Sequence, residues 1–183
     1  RRFFLCYRYL LLACSCHFDC LAEMWDCAKT HAYVELTLDT NCVLSDVITV
    51  AGNWYGLRIN GPTVDDAANV TATITAANNK RHFIVPEDKK LILRYVKLSG
   101  GKALSNDNLG HGGSITIDDR SKVIIQFCWF YGNSAFGGGG AIYAKDAEIL
   151  IENSVIEANS AGHGGAVAGI VLASSGLAKI DLV

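Results

Sequence analysis

An internal repeat limits what this 183-residue chain can fold into more than any other feature, because periods of roughly 20 to 50 residues mark solenoids and related arrays. The stretch Lys122-Val-Ile-Ile-Gln-Phe-Cys-Trp-Phe-Tyr-Gly-Asn133-Ser-Ala aligns with Glu148-Ile-Leu-Ile-Glu-Asn-Ser-Val-Ile-Glu-Ala-Asn159-Ser-Ala at an offset of 26. A glycine pair, a small residue and an aliphatic one then recur as Gly112-Gly113-Ser114-Ile115, Gly139-Gly140-Ala141-Ile142 and Gly164-Gly165-Ala166-Val167, at steps of 27 and 25. Running the alignment backward at a step of 32 sets Leu91, Leu93, Val96 and Leu98 against Val123, Ile125, Cys128 and Phe130. These in turn face Ile149, Ile151, Ser154 and Ile156, with Asn106 to Gly110 as the insertion that lengthens the earlier copy. Every set is apolar or small, as required if successive coils stack the same positions inward at about 4.8 Å. The expected core is a column rather than a ball.

The turn chemistry agrees. A coil that returns beneath itself must bend sharply several times, and glycine adopts the positive φ that other residues resist, hence the recurring Gly-Gly pairs. Asn133 and Asn159 recur at one turn, where asparagine tolerates the left-handed region and its amide can bond the equivalent amide one coil away, forming a ladder. Upstream, Tyr33 to Leu38, Val47 to Val50, Leu57 to Ile59, Ala72 to Thr75 and Phe83 to Val85 read as short strands with a blurred repeat. From Asp19 to Ala32, the helical spacing of Leu21, Met24, Trp25 and Ala28 behind a capping Asp19 predicts an amphipathic helix laid across the exposed end of the column. The reading is an all-β, right-handed parallel β-helix over residues 33–183, with an N-terminal capping helix over 19–32. The last residues, Lys179 to Val183, read as the start of another strand, which suggests a truncated frame.

Residues 1–18 read as a secretory signal or a stray leader: Arg1-Arg2 precede an apolar run from Phe3 to Ala13 that is shorter than a membrane span of about 20 residues. Cys6, Cys14, Cys16, Cys20, Cys27 and Cys42 crowd the first part of the chain, and an odd total of 7 cannot pair completely. One or two bridges near the amino end are expected, with the other thiols left spare. Cys14, Cys16, His17 and Cys20 lack the paired-knuckle spacing of structural zinc, so no metal and no other cofactor is expected. A net charge of −2 leaves no basic stripe for a phosphate backbone, and nucleic acid is not an expected partner.

Phe130-Tyr-Gly-Asn133 followed by Gly139-Gly140-Ala141-Ile142 resembles the paired Phe-x-x-Asn and Gly-Gly-Ala-Ile/Val repeats of one group of right-handed parallel β-helices. These belong to the pectin-lyase-like superfamily, with repeats similar to the polymorphic outer membrane proteins of chlamydiae; similar repeats occur in large surface proteins of algae and other protists. The next copy departs, with Ile156 in the phenylalanine place before Asn159, and an earlier copy has Leu98, Gly101 and Ser114 at the corresponding positions. The resemblance covers about residues 90 to 170 and implies an extracellular or surface-displayed, often adhesive, passenger.

The same superfamily includes polygalacturonases and polysaccharide lyases. A polygalacturonase-like site would need Asn-Thr-Asp, Asp-Asp, Gly-His-Gly and Arg-Ile-Lys in that order. Here Gly110-His111-Gly112 precedes Asp118-Asp119, two of the four pieces do not occur, and the second Gly-His-Gly, at Gly162-His163-Gly164, marks the triplet as part of the repeat's turn. No catalytic residue is assigned. The carboxylates Asp118, Asp119, Glu148, Glu152 and Glu157 read as a solvated face rather than a calcium site, which would want six or more oxygens. Trp129, Tyr131, Phe136 and Tyr143 cluster within one coil, and alternation from inward Cys128 and Phe130 turns Trp129 and Tyr131 outward. These four form a hypothetical aromatic face for a glycan or a surface protein, unless a loop such as Lys102 to Leu109 covers them. Asn69-Val70-Thr71 is a glycosylation acceptor pattern if the chain is secreted by a eukaryote. The favoured function is a non-catalytic extracellular or cell-surface module. The alternative is a carbohydrate-active enzyme whose catalytic residues lie outside this fragment.

Overall fold

The computed structural model describes residues 10–12, 33–38, 40–50, 56–105, 110–163, 165–170 and 179–182. The predicted helix over 19–32 lies outside the described residues, as do Cys6, Cys14, Cys16, Cys20 and Cys27, residues 106–109 of the insertion, and Gly164. Among the described residues the chain is an all-β parallel β-helix whose one helical element is a 3-10 turn, Ala67–Asn69.

The first sheet stacks β1 (Leu10–Leu12), β2 (Tyr33–Leu38), β5 (Gly56–Asn60), β8 (Lys90–Arg94), β12 (Lys122–Gln126), β16 (Glu148–Glu152) and β20 (Lys179–Leu182). The second stacks β3 (Cys42–Val43), β6 (Thr73–Thr75), β9 (Lys97–Ser99), β13 (Trp129–Tyr131) and β17 (Val155–Glu157). The third stacks β4 (Ile48–Thr49), β7 (Phe83–Val85), β11 (Ile115–Ile117), β15 (Ile142–Lys145) and β19 (Val167–Ile170). A short sheet of β10 (Lys102–Ala103), β14 (Ser134–Gly138) and β18 (Ser160–His163) fills the corner between the second and third.

All pairings are parallel, and the register is the one the repeat predicts. Leu91, Val123 and Ile149 lie over one another, as do Leu93, Ile125 and Ile151, and Leu98, Phe130 and Ile156. The upstream strands join the same stacks, with Leu57 beneath Leu91 and Ile59 beneath Leu93. Their repeat is blurred because coil length varies while register does not: Tyr33 pairs with Gly56, Gly56 with Lys90, Lys90 with Lys122 and Lys122 with Glu148, giving coils of 23, 34, 32 and 26 residues. The inward side chains of the three long sheets, including Leu57, Leu93, Ile125, Phe83, Ile115, Leu98 and Phe130, form one buried column. Each fully buried aliphatic or aromatic side chain contributes about 1.5–3 kcal/mol by leaving water.

The asparagine ladder forms, with a correction to its cause. Asn133 Nδ2 donates to Asn159 Oδ1 at 2.9 Å and to the Leu98 carbonyl at 3.1 Å, and Asn159 Nδ2 donates in the same way to the Phe130 carbonyl at 3.0 Å. Asn133 Oδ1 accepts from the Gly101 amide at 2.8 Å, and Asn159 Oδ1 from the Asn133 amide at 2.9 Å. Neither asparagine has positive φ; that conformation falls on the preceding column, Gly100, Gly132 and Ala158. Asparagine is therefore placed for its amide, not for backbone tolerance. Gly101 takes the first rung because a Cβ there would stand 2.4 Å from the Gly113 carbonyl oxygen and 2.9 Å from His82 Nδ1.

Two further columns, Asp88, Arg120 and Asp146, and Tyr95, Phe127 and Asn153, also hold positive φ, a conformation uncommon outside glycine. Tyr95 and Phe127 stack at 5.3 Å between centroids, which offsets part of the strain. Within the first two glycine pairs the labour is divided, whereas Gly165 itself carries positive φ with open space around it. Gly112 and Gly139 carry positive φ, whereas a Cβ on Gly113 would lie 2.1 Å from the Gly140 carbonyl oxygen and one on Gly140 would lie 2.6 Å from that of Ser160.

Candidate binding face

The outer face of the second sheet is set by alternation. With Leu98, Phe130 and Ile156 inward, Thr73, Lys97, Trp129 and Val155 make one outward column and Thr75, Ser99, Tyr131 and Glu157 the next. Trp129 and Tyr131 meet edge to face, with centroids 5.8 Å apart and planes at 73°. The Lys97 ammonium, one coil earlier, sits in the corner between them, 3.7 Å from the Trp129 centroid and 4.6 Å from that of Tyr131. Such cation–π contacts contribute about 0.5–2 kcal/mol, more as the cation loses water. Among the described residues Lys97 has no carboxylate partner, and Trp129 Nε1 is shielded from solvent without an acceptor. Tyr131 is 43% exposed.

The four aromatic residues predicted as a face do not share one. Phe136, 69% exposed, projects from β14 in the corner sheet. Tyr143 lies on the outer side of the third sheet, yet is only 8% exposed where the His111 ring lies on it. There the His111 ring stacks on Tyr143 at 4.2 Å and 9°, and His111 Nδ1 accepts from the Gly138 amide at 2.7 Å. Thr116 Oγ1 donates to the His111 carbonyl at 2.9 Å, and Arg81 donates to the carbonyls of His111 at 2.9 Å and Gly112 at 3.2 Å. Burial and then the Arg81 charge hold the His111 imidazole below its ordinary range, and burial raises the Tyr143 phenol. Both the stack and the backbone bond make His111 part of a cover.

Several of the remaining charged groups pair with one another. Arg120 makes a two-pronged pair with Asp88, at 2.9 and 3.0 Å, and also pairs with Glu87; that contact holds the Asp88 carboxyl below the usual carboxylate range. Asp119 meets Lys145 at 3.3 Å, and Asp118, raised by burial and then by Asp119, stands beside them. Glu148 meets Lys122 at 2.6 Å, and Arg94, Gln126 and Glu152 link three coils in a row. Among the described residues no group of three or more His, Cys, Asp or Glu side chains is placed to hold a metal ion. Cys128 is a buried thiol that burial pushes up to about 12. Asn69, of the acceptor pattern, is exposed at the end of the 3-10 turn, and Thr71 is exposed beside it.

Two groups escaped the sequence reading. Lys97 stands one 32-residue step before Trp129, so the alignment held its position; a lysine on a polar face carries no signal of being drawn between rings. His82 is wholly buried: its Nε2 meets the Ile74 and Ser99 carbonyls at 3.0 and 3.1 Å, its Nδ1 meets the Ser114 hydroxyl at 2.9 Å, and burial lowers it to about 4. No family model, no curated protein and no solved structure matches the chain. Among the described residues no helix is long and apolar enough to cross a membrane.

Proposed function

We propose that this chain is a non-catalytic module of an extracellular or cell-surface protein, making contact with a glycan or a partner protein through the outer face of its second sheet. The observation that carries this reading is the Lys97–Trp129–Tyr131 corner, an aromatic and cationic group set on a sheet face with Tyr131 open to solvent. Aromatic side chains on a rigid face supply contact area at little entropic cost, and they dominate the energetics of many interfaces. The resemblance of the repeat to the β-helices of the pectin-lyase-like superfamily with chlamydial outer-membrane-type repeats agrees with display of such a face outside the cell.

The test is binding of the purified chain to cell surfaces, with wild type compared against the double variant Trp129→Ser/Tyr131→Ser. Binding should fall at least tenfold, a loss of about 1.4 kcal/mol or more, while the circular dichroism stays that of a β-protein. Unchanged binding would remove the reading. Release of unsaturated or reducing ends from pectin by the chain would instead favour an enzyme of this architecture.

A further inference from the structure

We infer that the corner between Trp129 and Tyr131 receives an acidic side chain from an extended segment of a partner protein, with Lys97 as the ion-pairing residue. This deepens the proposal above and rests on the same face. The Lys97 ammonium is held against two rings with no carboxylate partner among the described residues. The ammonium is the one charged group of the corner and donates only, so the complementary ligand there is an acceptor and an anion. A partly desolvated ammonium bonds a carboxylate more strongly than one in bulk water does.

The shape of the corner separates a peptide from a sugar. A pyranose stacks by laying its flat face on an open ring, but the Trp129 face is already covered by the ammonium, 3.7 Å above its centroid. A uronate carries its carboxylate directly on the sugar ring and would have to displace Lys97 to stack. The slender side chain of aspartate or glutamate reaches the ammonium end-on and leaves the rings where they are. Thr73, Thr75 and Ser99 continue the same two outward columns and offer hydroxyls to the carbonyls of a peptide lying along the sheet. Glu157, at the far side of Tyr131, would repel a second acidic group there, which sets the acidic residue toward the Lys97 end.

A labelled peptide of repeated Asp-Ser-Gly units is the probe, compared with its Asn-Ser-Gly counterpart and with alginate, on the intact chain. The acidic peptide should bind saturably and the neutral one at least tenfold more weakly, with affinity falling several-fold as ionic strength rises from about 0.05 to about 0.3 M. Lys97→Gln should weaken the acidic peptide about tenfold and Lys97→Arg should largely restore it, as expected for one charge-assisted bond. Equal binding of both peptides, no binding of either, or an affinity indifferent to Lys97→Gln would overturn the inference. Tighter binding of alginate than of the acidic peptide would overturn it in favour of an anionic glycan. If none of these ligands binds while Trp129→Ser/Tyr131→Ser still abolishes attachment to cells, the contact face stands and only the acidic-peptide assignment fails.

Discussion

On the outer face of the second sheet Tyr131 stands 43% exposed beside a lysine, whereas on the outer face of the third sheet, later in the same coil, Tyr143 is 8% exposed beneath the ring of His111. Both side chains point away from the core by the same alternation. What separates them is the preceding coil. The 32-residue step from Lys90 to Lys122 exceeds the 26-residue step that follows, and His111, near its added residues, lays its ring on Tyr143, held by Arg81, Thr116 and the Gly138 amide. Alternation decides which side a residue faces. Whether that side meets solvent is decided by the length of a neighbouring corner.

The contrast is most directly broken at Arg81, 1% exposed, whose guanidinium binds two carbonyls of the covering segment. Arg81→Ala leaves the Gly112 carbonyl unpaired in a buried site and the His111 carbonyl with Thr116 Oγ1 alone, and should lower stability by about 3 kcal/mol. Tyr143 should then become reactive toward acetylating reagents. A shift of the urea midpoint worth under about 1 kcal/mol, with Tyr143 still protected, would show that the cover does not depend on this side chain. Replacing each tyrosine by serine sharpens the comparison: Tyr143→Ser should cost about 3 kcal/mol and Tyr131→Ser under about 0.5 kcal/mol. Equal costs would mean that the two faces are equally packed.

Acid should also act at the root of the cover, where the Ser114 hydroxyl meets buried His82. With the folded value near 4 and an ordinary value of 6.5, the unfolded chain binds the proton first as pH falls. Stability is thus full above about pH 6.5 and falls by about 3 kcal/mol by about pH 4. In His82→Gln the difference between denaturation midpoints at neutral pH and near pH 4.5 should shrink accordingly; an unchanged difference would assign the acid sensitivity elsewhere. The smallest effect belongs to the ladder's turn, where Ala158 holds φ at 54° in a column otherwise made of Gly100 and Gly132. Ala158→Gly should raise stability by about 1 kcal/mol in thermal unfolding, and a lower melting temperature would show that the strain is offset locally.

The column of the core was legible because inward positions answer to one demand, apolar bulk at fixed spacing, and the aligned quartets ending in Leu98, Phe130 and Ile156 stack as read. The corners were less legible because several residue types satisfy the same backbone. Tyr95 and Phe127 occupy a left-handed position where an aromatic residue is unexpected, and their mutual stacking is visible only once the coils are superposed. The exposed faces were legible as to side but not cover: Tyr143 read like Tyr131, since nothing in either residue's neighbourhood reports what a loop from the previous coil lies upon. Arg81 and His82 illustrate the same limit from within, as charged or polar residues whose partners are carbonyls of the next coil's turn or of the second sheet's strands.

Coils of 23, 34, 32 and 26 residues share one unbroken hydrogen-bonded wall. Growth and function are thereby uncoupled: residues added at a bend are absorbed outside the barrel of strands, and the rungs above and below keep their partners. Such a scaffold can gain or lose an external decoration in a single insertion or deletion event, one storey at a time, without the compensating changes that a globular core would demand.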